Sequence, residues 1–150
     1  MKQSPTPRRT GGARQAAAAD PLFDLLHAAE VLQQRIDDAL GAVGLSLAKY
    51  GVLQTLAGAK EPLTLTDLAD QQRCVRSNIT QLVDRLEADG LVKRVDDRSD
   101  RRSIRATLTA AGRERQAAGA RALAAVQKEL AHVATASDRA AISRLVSALK

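Results

Sequence analysis

Residues 64–108 read TLTDLADQQRCVRSNITQLVDRLEADGLVKRVDDRSDRRSIRATL, and the hydrophobic spacing changes within this stretch at Gly90. Before Gly90 the apolar residues recur at helical intervals, with a break near Arg73 and Cys74 that predicts a turn between two helices. The second of these helices is predicted from about Ser77 to Asp89, with Gly90 in the position that commonly ends a helix.

The first helix of the pair is short, and a variant of the capping box predicts its start, since Thr64 is followed three residues later by Asp67. After the second helix, residues 91–95 and 103–108 alternate in the manner of two short strands. The polar run 96–102 between them predicts a hairpin loop. Two helices joined by a tight turn and followed by a hairpin predict a winged helix-turn-helix.

The second helix of the motif is predicted to bury four apolar residues, namely Ile79, Leu82, Val83 and Leu86. Its other face carries side chains that can read base edges in a major groove, since Asn and Gln pair with adenine and Arg with guanine. An ordinary amphipathic helix with a solvated polar face explains the pattern equally well when the helix is considered alone. The polar set is Arg76, Ser77, Asn78, Thr80, Gln81, Asp84 and Arg85.

The hairpin favours duplex DNA as the partner. Five arginines fall within about a dozen residues of it, which suits a narrow, electronegative minor groove better than a solvated turn. Asp97 and Asp100 are expected to pair locally with these arginines. The expected DNA contacts from the hairpin are Lys93, Arg94, Arg98, Asp100, Arg101 and Arg102. Phosphate contacts are expected from Arg73, Arg85, Lys93 and Arg94, with strong salt dependence.

The segments around this motif are predicted to be helical, which gives a mainly α chain with a small β-hairpin. Pro21 and Ser46 mark the starts of two helices before the motif, and Thr109 and Ser137–Asp138 mark the starts of two after it. Residues 1–19 predict a disordered basic tail. The remaining residues, 20–150, form a single predicted domain, in which 20–45 and 109–150 are dimerisation helices around the winged motif at 46–108.

Composition excludes several other classes of protein. The net charge is +6, and no apolar run approaches the roughly 18–20 residues that span a bilayer. The N-terminus lacks the apolar core of a secretory signal, so the cytoplasm is expected. A single cysteine, Cys74, excludes an internal disulfide and a cysteine-rich zinc site.

Catalysis and metal binding are not expected either. The sequence has no glycine-rich phosphate loop, no activated nucleophile and no paired acids in a plausible cleft. His27 and His132 stand apart from other metal-ligating residues. We therefore expect no enzyme activity, no cofactor and no metal.

The chain resembles the MarR family of bacterial transcription regulators from Leu53 to Gly112. The matching motifs are Leu68-Ala69, Ser77, Thr80, Val83-Asp84-Arg85-Leu86-Glu87, Gly90-Leu91-Val92, Arg94, Asp97, Asp100-Arg101-Arg102 and Leu108-Thr109-Ala110-Ala111-Gly112. The resemblance implies a homodimer with interlocked terminal helices, two winged motifs in successive major grooves, and Arg101 in the minor groove. Such a dimer requires a pseudo-palindromic operator.

The resemblance also implies regulation, most commonly repression that is released by a small aromatic effector. A pocket is expected near Phe23, His27, Tyr50 and Leu53. Cys74 is the sole candidate for a thiol redox sensor, although a structural cysteine is the better interpretation of its position.

Three residues depart from the family pattern, all around the turn. Val75 replaces the usual Ser or Thr cap, so Ser77 is expected to cap the second helix and to delay its start. Arg73 occupies a position usually held by glycine. Gln72 replaces an apolar residue and predicts a thinner local core.

Two other functions fit the same fold. A winged domain can bind a protein partner instead of DNA, and a basic chain can bind DNA without sequence preference. Salt-dependent DNA binding distinguishes the first, and a comparison of operator with random DNA distinguishes the second.

Overall fold

The structure is a computed structural model that describes residues 21–96 and 104–149. The predicted tail at 1–19 lies outside the described residues. The elements are, in chain order, α1 Pro21–Gly41, α2 Leu47–Gly58, β1 Leu63–Thr64, α3 Leu65–Gln72, α4 Arg76–Ala88, β2 Val92–Asp96, β3 Ile104–Leu108, α5 Ala110–Val133 and α6 Ala136–Ala148. The predicted mainly α fold with a β-hairpin is confirmed, with β1 as an addition.

The sheet has three antiparallel strands in the order β1-β3-β2. Leu63 pairs with Ala106, and Val92 pairs with Leu108. Strand β1 contains two residues, which is too short for an alternating pattern to reveal it. The winged motif therefore carries a third strand that the sequence pattern did not predict.

Gly90 ends α4 as predicted. Its φ of +71° is in the left-handed region, and its N–H donates to Glu87 O while the Leu91 N–H donates to Leu86 O at 2.9 Å. This pair of hydrogen bonds is a Schellman motif. Because Leu91 completes that motif, β2 begins at Val92, one residue later than predicted.

Capping side chains start four of the other helices, namely α3, whose capping box is described below, and α2, α5 and α6. Ser46 accepts from Lys49 N at α2, as predicted, and Thr109 accepts from Gly112 N at α5. Helix α6 is capped by Thr135, with Asp138 closing a capping box, so the predicted start at Ser137 is wrong by one residue.

The core lies where α2, α3 and α4 pack on the sheet. Ile79, Val83 and Leu86 of α4 are fully buried as predicted, and Leu82 is half-buried. Aliphatic side chains from the other elements complete the core, among them Leu40, Val52, Leu53, Leu68, Val92 and Ala106.

The chain divides into two compact units, with the boundary between Leu32 and Gln33 inside α1. In the first unit, residues 21–32 repeat apolar side chains at helical spacing, and these side chains are exposed. Leu22 and Phe23 are 60% and 67% exposed. These residues therefore present an apolar surface on the single chain.

Apolar residues of α6, in the second unit, are also exposed. The helical periodicity of Ile142, Leu145, Val146 and Leu149 predicts that they face inward, and this prediction is wrong for the single chain. Exposure is 48% at Val146, 50% at Leu145 and 53% at Ile142, and it is 78% at Leu149, which follows α6. The periodicity identified an apolar helix face correctly, but it does not say whether that face packs within one chain.

The capping box of α3 gives a pH-dependent contribution to stability. Hydrogen bonds from the Thr64 side chain and backbone N–H lower the pKa of Asp67. The unfolded chain therefore binds this proton more readily, so the contribution is present above the usual aspartate pKa and is lost as the pH falls through the lowered one.

We expect Thr64→Ala to lower the free energy of unfolding by about 1 kcal/mol near neutral pH. The difference from the wild type should shrink in acid, because Asp67 is then protonated. Urea unfolding of both chains between pH 7 and pH 2.5 measures this. Thr66→Ala, which changes an exposed residue of the same helix outside the cap, should cost nothing. A constant difference across this pH range would contradict the role of Asp67.

Candidate nucleic-acid interface

The turn between α3 and α4 is built on a left-handed residue. Arg73 has φ 49° and ψ 43°, and it is the one non-glycine residue with a positive φ among residues 21–96 and 104–149. The Arg73 N–H donates to Asp70 O, and the Cys74 N–H donates to Ala69 O at 3.0 Å. The turn is therefore closed by the last carbonyls of α3, with an exposed arginine side chain at its corner.

Gln72 replaces the expected apolar contact with a polar one. Its Nε2 donates to Gly51 O at 3.1 Å and to Thr55 Oγ1 at 2.6 Å, which ties α3 to α2. Within the described part of the chain, no buried side-chain nitrogen or oxygen lacks a hydrogen-bond partner. The core at this point is hydrogen-bonded, as a buried polar group requires.

Helix α4 begins at Arg76 with Val75 as its N-cap, and no side chain caps it. The predicted cap at Ser77 is wrong, because Ser77 lies inside the first turn. This start places Arg76, Ser77 and Asn78 at the N-terminal end of α4, and all three are exposed. The end of the helix that commonly reads bases is therefore polar and accessible.

The structure brings the rest of the predicted reading face together on α4. Gln81 and Arg85 are exposed and follow Ser77 at four-residue intervals, which puts them on one side of the helix. Thr80 is half-buried, and its hydroxyl donates to Arg76 O at 3.0 Å. The Thr80 hydroxyl proton is thus used within the helix, whereas its oxygen can still accept.

Arg94, expected to contact a phosphate, is engaged inside the protein. From β2 its guanidinium donates to Asp84 Oδ1 and Glu87 Oε2 of α4, and its backbone N–H donates to Glu87 Oε1 at 3.2 Å. The hydrogen bond to Asp84, followed by that to Glu87, raises the pKa of Arg94. We call these three residues the Arg94 clamp.

The Arg94 clamp joins the base of the hairpin to the helix of the candidate reading face. A phosphate contact by Arg94 would compete with two carboxylates, so that contact stays a prediction. The sequence places Asp84 and Glu87 three residues apart on α4, where both carboxylates can meet the same cation. Nothing in the neighbouring sequence indicates that this cation is Arg94. Lys93, the neighbour of Arg94 on β2, is exposed and free to meet a polyanion.

The tip of the wing lies outside the described residues. The predicted contacts Arg98, Asp100, Arg101 and Arg102, and the local pairing of Asp97, fall there and stay predictions. The strands on either side are paired up to Asp96 and Ile104. Beyond the tip, Arg105 Nη1 donates to Pro62 O at 3.0 Å.

The four residues predicted to line an effector pocket have different surroundings. Phe23 and His27 are exposed in the first unit, and Leu53 is fully buried in the core of the second. Tyr50 is half-buried, and its hydroxyl donates to Gln54 Oε1 at 2.9 Å. The effector pocket stays a prediction.

An open groove of about 670 Å³ lies elsewhere in the second unit. It is bounded by the end of α2, β1, Gln71 of α3 and Arg105 of β3.

Cys74 is half-buried and packs against the core. Among residues 21–96 and 104–149, no three metal-ligating side chains cluster, and no helix is both long and apolar enough to cross a membrane.

Comparison with known proteins agrees with this geometry. Residues 43–103 match the model of the MarR family. The HTH-type transcriptional regulator PrsX of Escherichia coli is 39% identical over 82 residues, which is 54% of this chain. The aligned segment is 49% of PrsX, so the chain spans about half the length of this curated relative.

Solved structures match over most of the chain. CouR from Rhodococcus jostii RHA1 bound to p-coumaroyl-CoA is 26% identical, with a TM-score of 0.70 over 90% of this chain and 92% of that one. CouR bound to a 23-mer DNA duplex is 25% identical, with a TM-score of 0.75 over 85% of this chain and 89% of that one. In the matched segment and in the winged fold, the chain is therefore similar to the MarR family.

Proposed function

We propose that this chain is a homodimeric regulator of transcription that binds specific double-stranded DNA. One observation carries the proposal: α4 buries its apolar face and presents Ser77, Asn78, Gln81 and Arg85 to solvent beside the base of the wing. Amide and guanidinium groups on a helix that fits a major groove can distinguish base pairs. The DNA-bound form of CouR, which shares the fold, supports this use of the surface.

Dimerisation is supported by the apolar surfaces that the single chain leaves in water. In the second unit these are on α5, where Leu130 and Val133 are exposed, and on α6. In the first unit they are on residues 21–32. Contiguous exposed apolar patches mark protein interfaces. A second copy covers them and sets the distance between the two α4 helices, which then read a pseudo-palindromic operator.

The regulation that fits best is repression in the cytoplasm, released by a small aromatic effector. The support is that CouR binds an aromatic acyl-CoA while it shares this fold. Oxidation of Cys74 is the alternative trigger. Release in either case changes the spacing of the α4 helices.

Selection of bound sites from random duplex DNA tests the proposal. Enrichment of a twofold-symmetric site, together with a dimer by light scattering, supports it. Binding without an enriched site would favour a nonspecific DNA protein. A monomer that ignores DNA in low salt would favour a protein-interaction module and overturn the proposal.

Arg73→Gly should weaken DNA binding without lowering the stability of the fold. A left-handed arginine costs about 1–2 kcal/mol, and the extra freedom of glycine in the unfolded chain offsets about half of that. The free energy of unfolding should therefore stay level or rise slightly. Affinity for the selected site should fall severalfold, and the slope of log Kd against log salt should decrease by about two, because the homodimer carries two copies of the residue.

Arg73→Lys is the matched control for this prediction, because it keeps both the charge and the strained backbone. It should retain the salt slope of the wild type. A wild-type salt slope in Arg73→Gly would show that Arg73 contacts no phosphate.

A further inference from the structure

Val75 breaks two preferences of folded proteins at one position. It is the N-cap of α4, where Ser, Thr, Asp and Asn are favoured, and its side chain accepts no hydrogen bond. Its side chain is also 63% exposed, although valine is usually buried. Neither feature stabilises the isolated chain. Local rules broken together are expected at functional sites.

The neighbours of Val75 indicate the kind of surface that meets it. Arg73, Arg76, Ser77 and Asn78 are all exposed around it, so the partner here is polar and anionic overall. A polyanion whose accessible surface also carries isolated methyl groups satisfies both kinds of side chain. The major groove of DNA is such a surface, because each thymine presents its C5-methyl group there.

We propose that Val75 is a specificity-determining residue that contacts the methyl group of a thymine in the major groove. The proposal rests on the proposed function, since it needs α4 in the groove. The first residues of a reading helix lie against base edges, and Val75 immediately precedes them. Its branched side chain presents two methyl groups, and a methyl–methyl contact is apolar on both sides. Cytosine lacks the methyl group at the same ring position, so the contact distinguishes the two pyrimidines.

The size of the effect follows from the area of one methyl group. Removing one buried methyl changes affinity about fourfold. A symmetric operator has two such contacts, so removal of both should change affinity by about tenfold or more.

The experiment replaces each thymine of the selected operator, one at a time, with deoxyuridine, which keeps every hydrogen-bonding group and lacks the methyl. Kd is measured at one fixed salt concentration for the wild type and for Val75→Ala. We expect one thymine in each half-site at which deoxyuridine weakens wild-type binding about fourfold, and at which Val75→Ala shows no further loss.

Val75→Ser is the second variant, because it removes the methyl groups and supplies the missing cap. It should raise the thermal unfolding temperature and still lose discrimination between thymine and deoxyuridine. If Val75→Ala fails to fold, Val75→Ser therefore keeps the test decisive.

Two failures can be told apart. If the wild type enriches no site, the proposed function fails and this inference fails with it. If the wild type binds its selected operator but no deoxyuridine effect depends on residue 75, the inference alone is overturned. An operator with no thymine in the half-site overturns it as well.

Discussion

Gly112→Ala should lower the free energy of unfolding by about 3 kcal/mol, the largest loss expected among the glycines at 21–96 and 104–149. A Cβ at Gly112 would lie 1.9 Å from Leu91 O and 2.9 Å from Leu91 C. Both atoms are backbone, so no rotation of a side chain makes room. Denaturant unfolding followed by circular dichroism measures the change.

Hydrogen bonds of Thr109 hold the start of α5 against Gly90 and Leu91. The Thr109 N–H donates to Leu91 O at 3.1 Å, and its hydroxyl donates to Gly90 O at 2.7 Å. The same hydroxyl accepts from Gly112 N at 2.9 Å. Separation of α5 from Leu91 therefore costs hydrogen bonds as well as packing, which is why relaxation recovers little.

Gly58→Ala is the matched control. Its added Cβ meets no atom within 4 Å, and the substitution removes a flexible residue from the end of α2. We expect no loss, or a gain of about 0.5 kcal/mol. Gly119→Ala should fall between the two, since its Cβ would lie 2.6 Å from the Tyr50 ring. Equal stability of Gly112→Ala and Gly58→Ala would show that α5 does not lie against Leu91.

Arg94→Ala should weaken binding to the selected operator by about tenfold to a hundredfold, with little change in stability. The loss has two sources. The hairpin is no longer held to α4 through the Arg94 clamp, and Asp84 and Glu87 are left as unpaired negative charges near the phosphates. Since the pairs are partly exposed, their contribution to folding is small.

The salt dependence identifies which role of Arg94 matters. If Arg94 acts only by positioning the hairpin, the slope of log Kd against log salt is that of the wild type. If it contacts a phosphate directly, the slope decreases by about 1.8, because each subunit of the dimer loses one contact. Lys93→Ala is the control, because loss of this exposed neighbour from both subunits should lower the slope by about two while costing less affinity at low salt.

A double variant completes the test. Asp84→Asn added to Arg94→Ala removes one of the unpaired charges, so it should recover part of the lost affinity. Coupling between the two sites is expected because they contact each other. Independent, additive effects would contradict the Arg94 clamp.

The two proposed triggers, an aromatic effector and oxidation of Cys74, can be distinguished by measuring release from the operator. Release by aromatic acids should be the same in the wild type and in Cys74→Ser, whereas release by an oxidant should be lost in Cys74→Ser.

Local sequence signals were sufficient to predict the order of the helices and of the two hairpin strands. Thr64 with Asp67 and Gly90 set helix ends through hydrogen bonds to residues at most a few positions away, and the alternation after Gly90 set the hairpin. Such signals act within one turn or one strand pair, so they can be recognised from the sequence alone. The buried face of α4 could be predicted for the same reason, because its apolar residues recur at helical spacing.

Contacts between the elements could not be predicted in this way, because they depend on how the elements pack. The tertiary structure placed Arg94 against Asp84 and Glu87, brought Gly112 onto Leu91, tied Gln72 to α2, and started α4 at an uncapped Val75. Each of these contacts joins residues of different elements, or depends on how the turn places the helix. The geometry that creates them exists only after the helices dock on the sheet, because docking fixes which side chains meet.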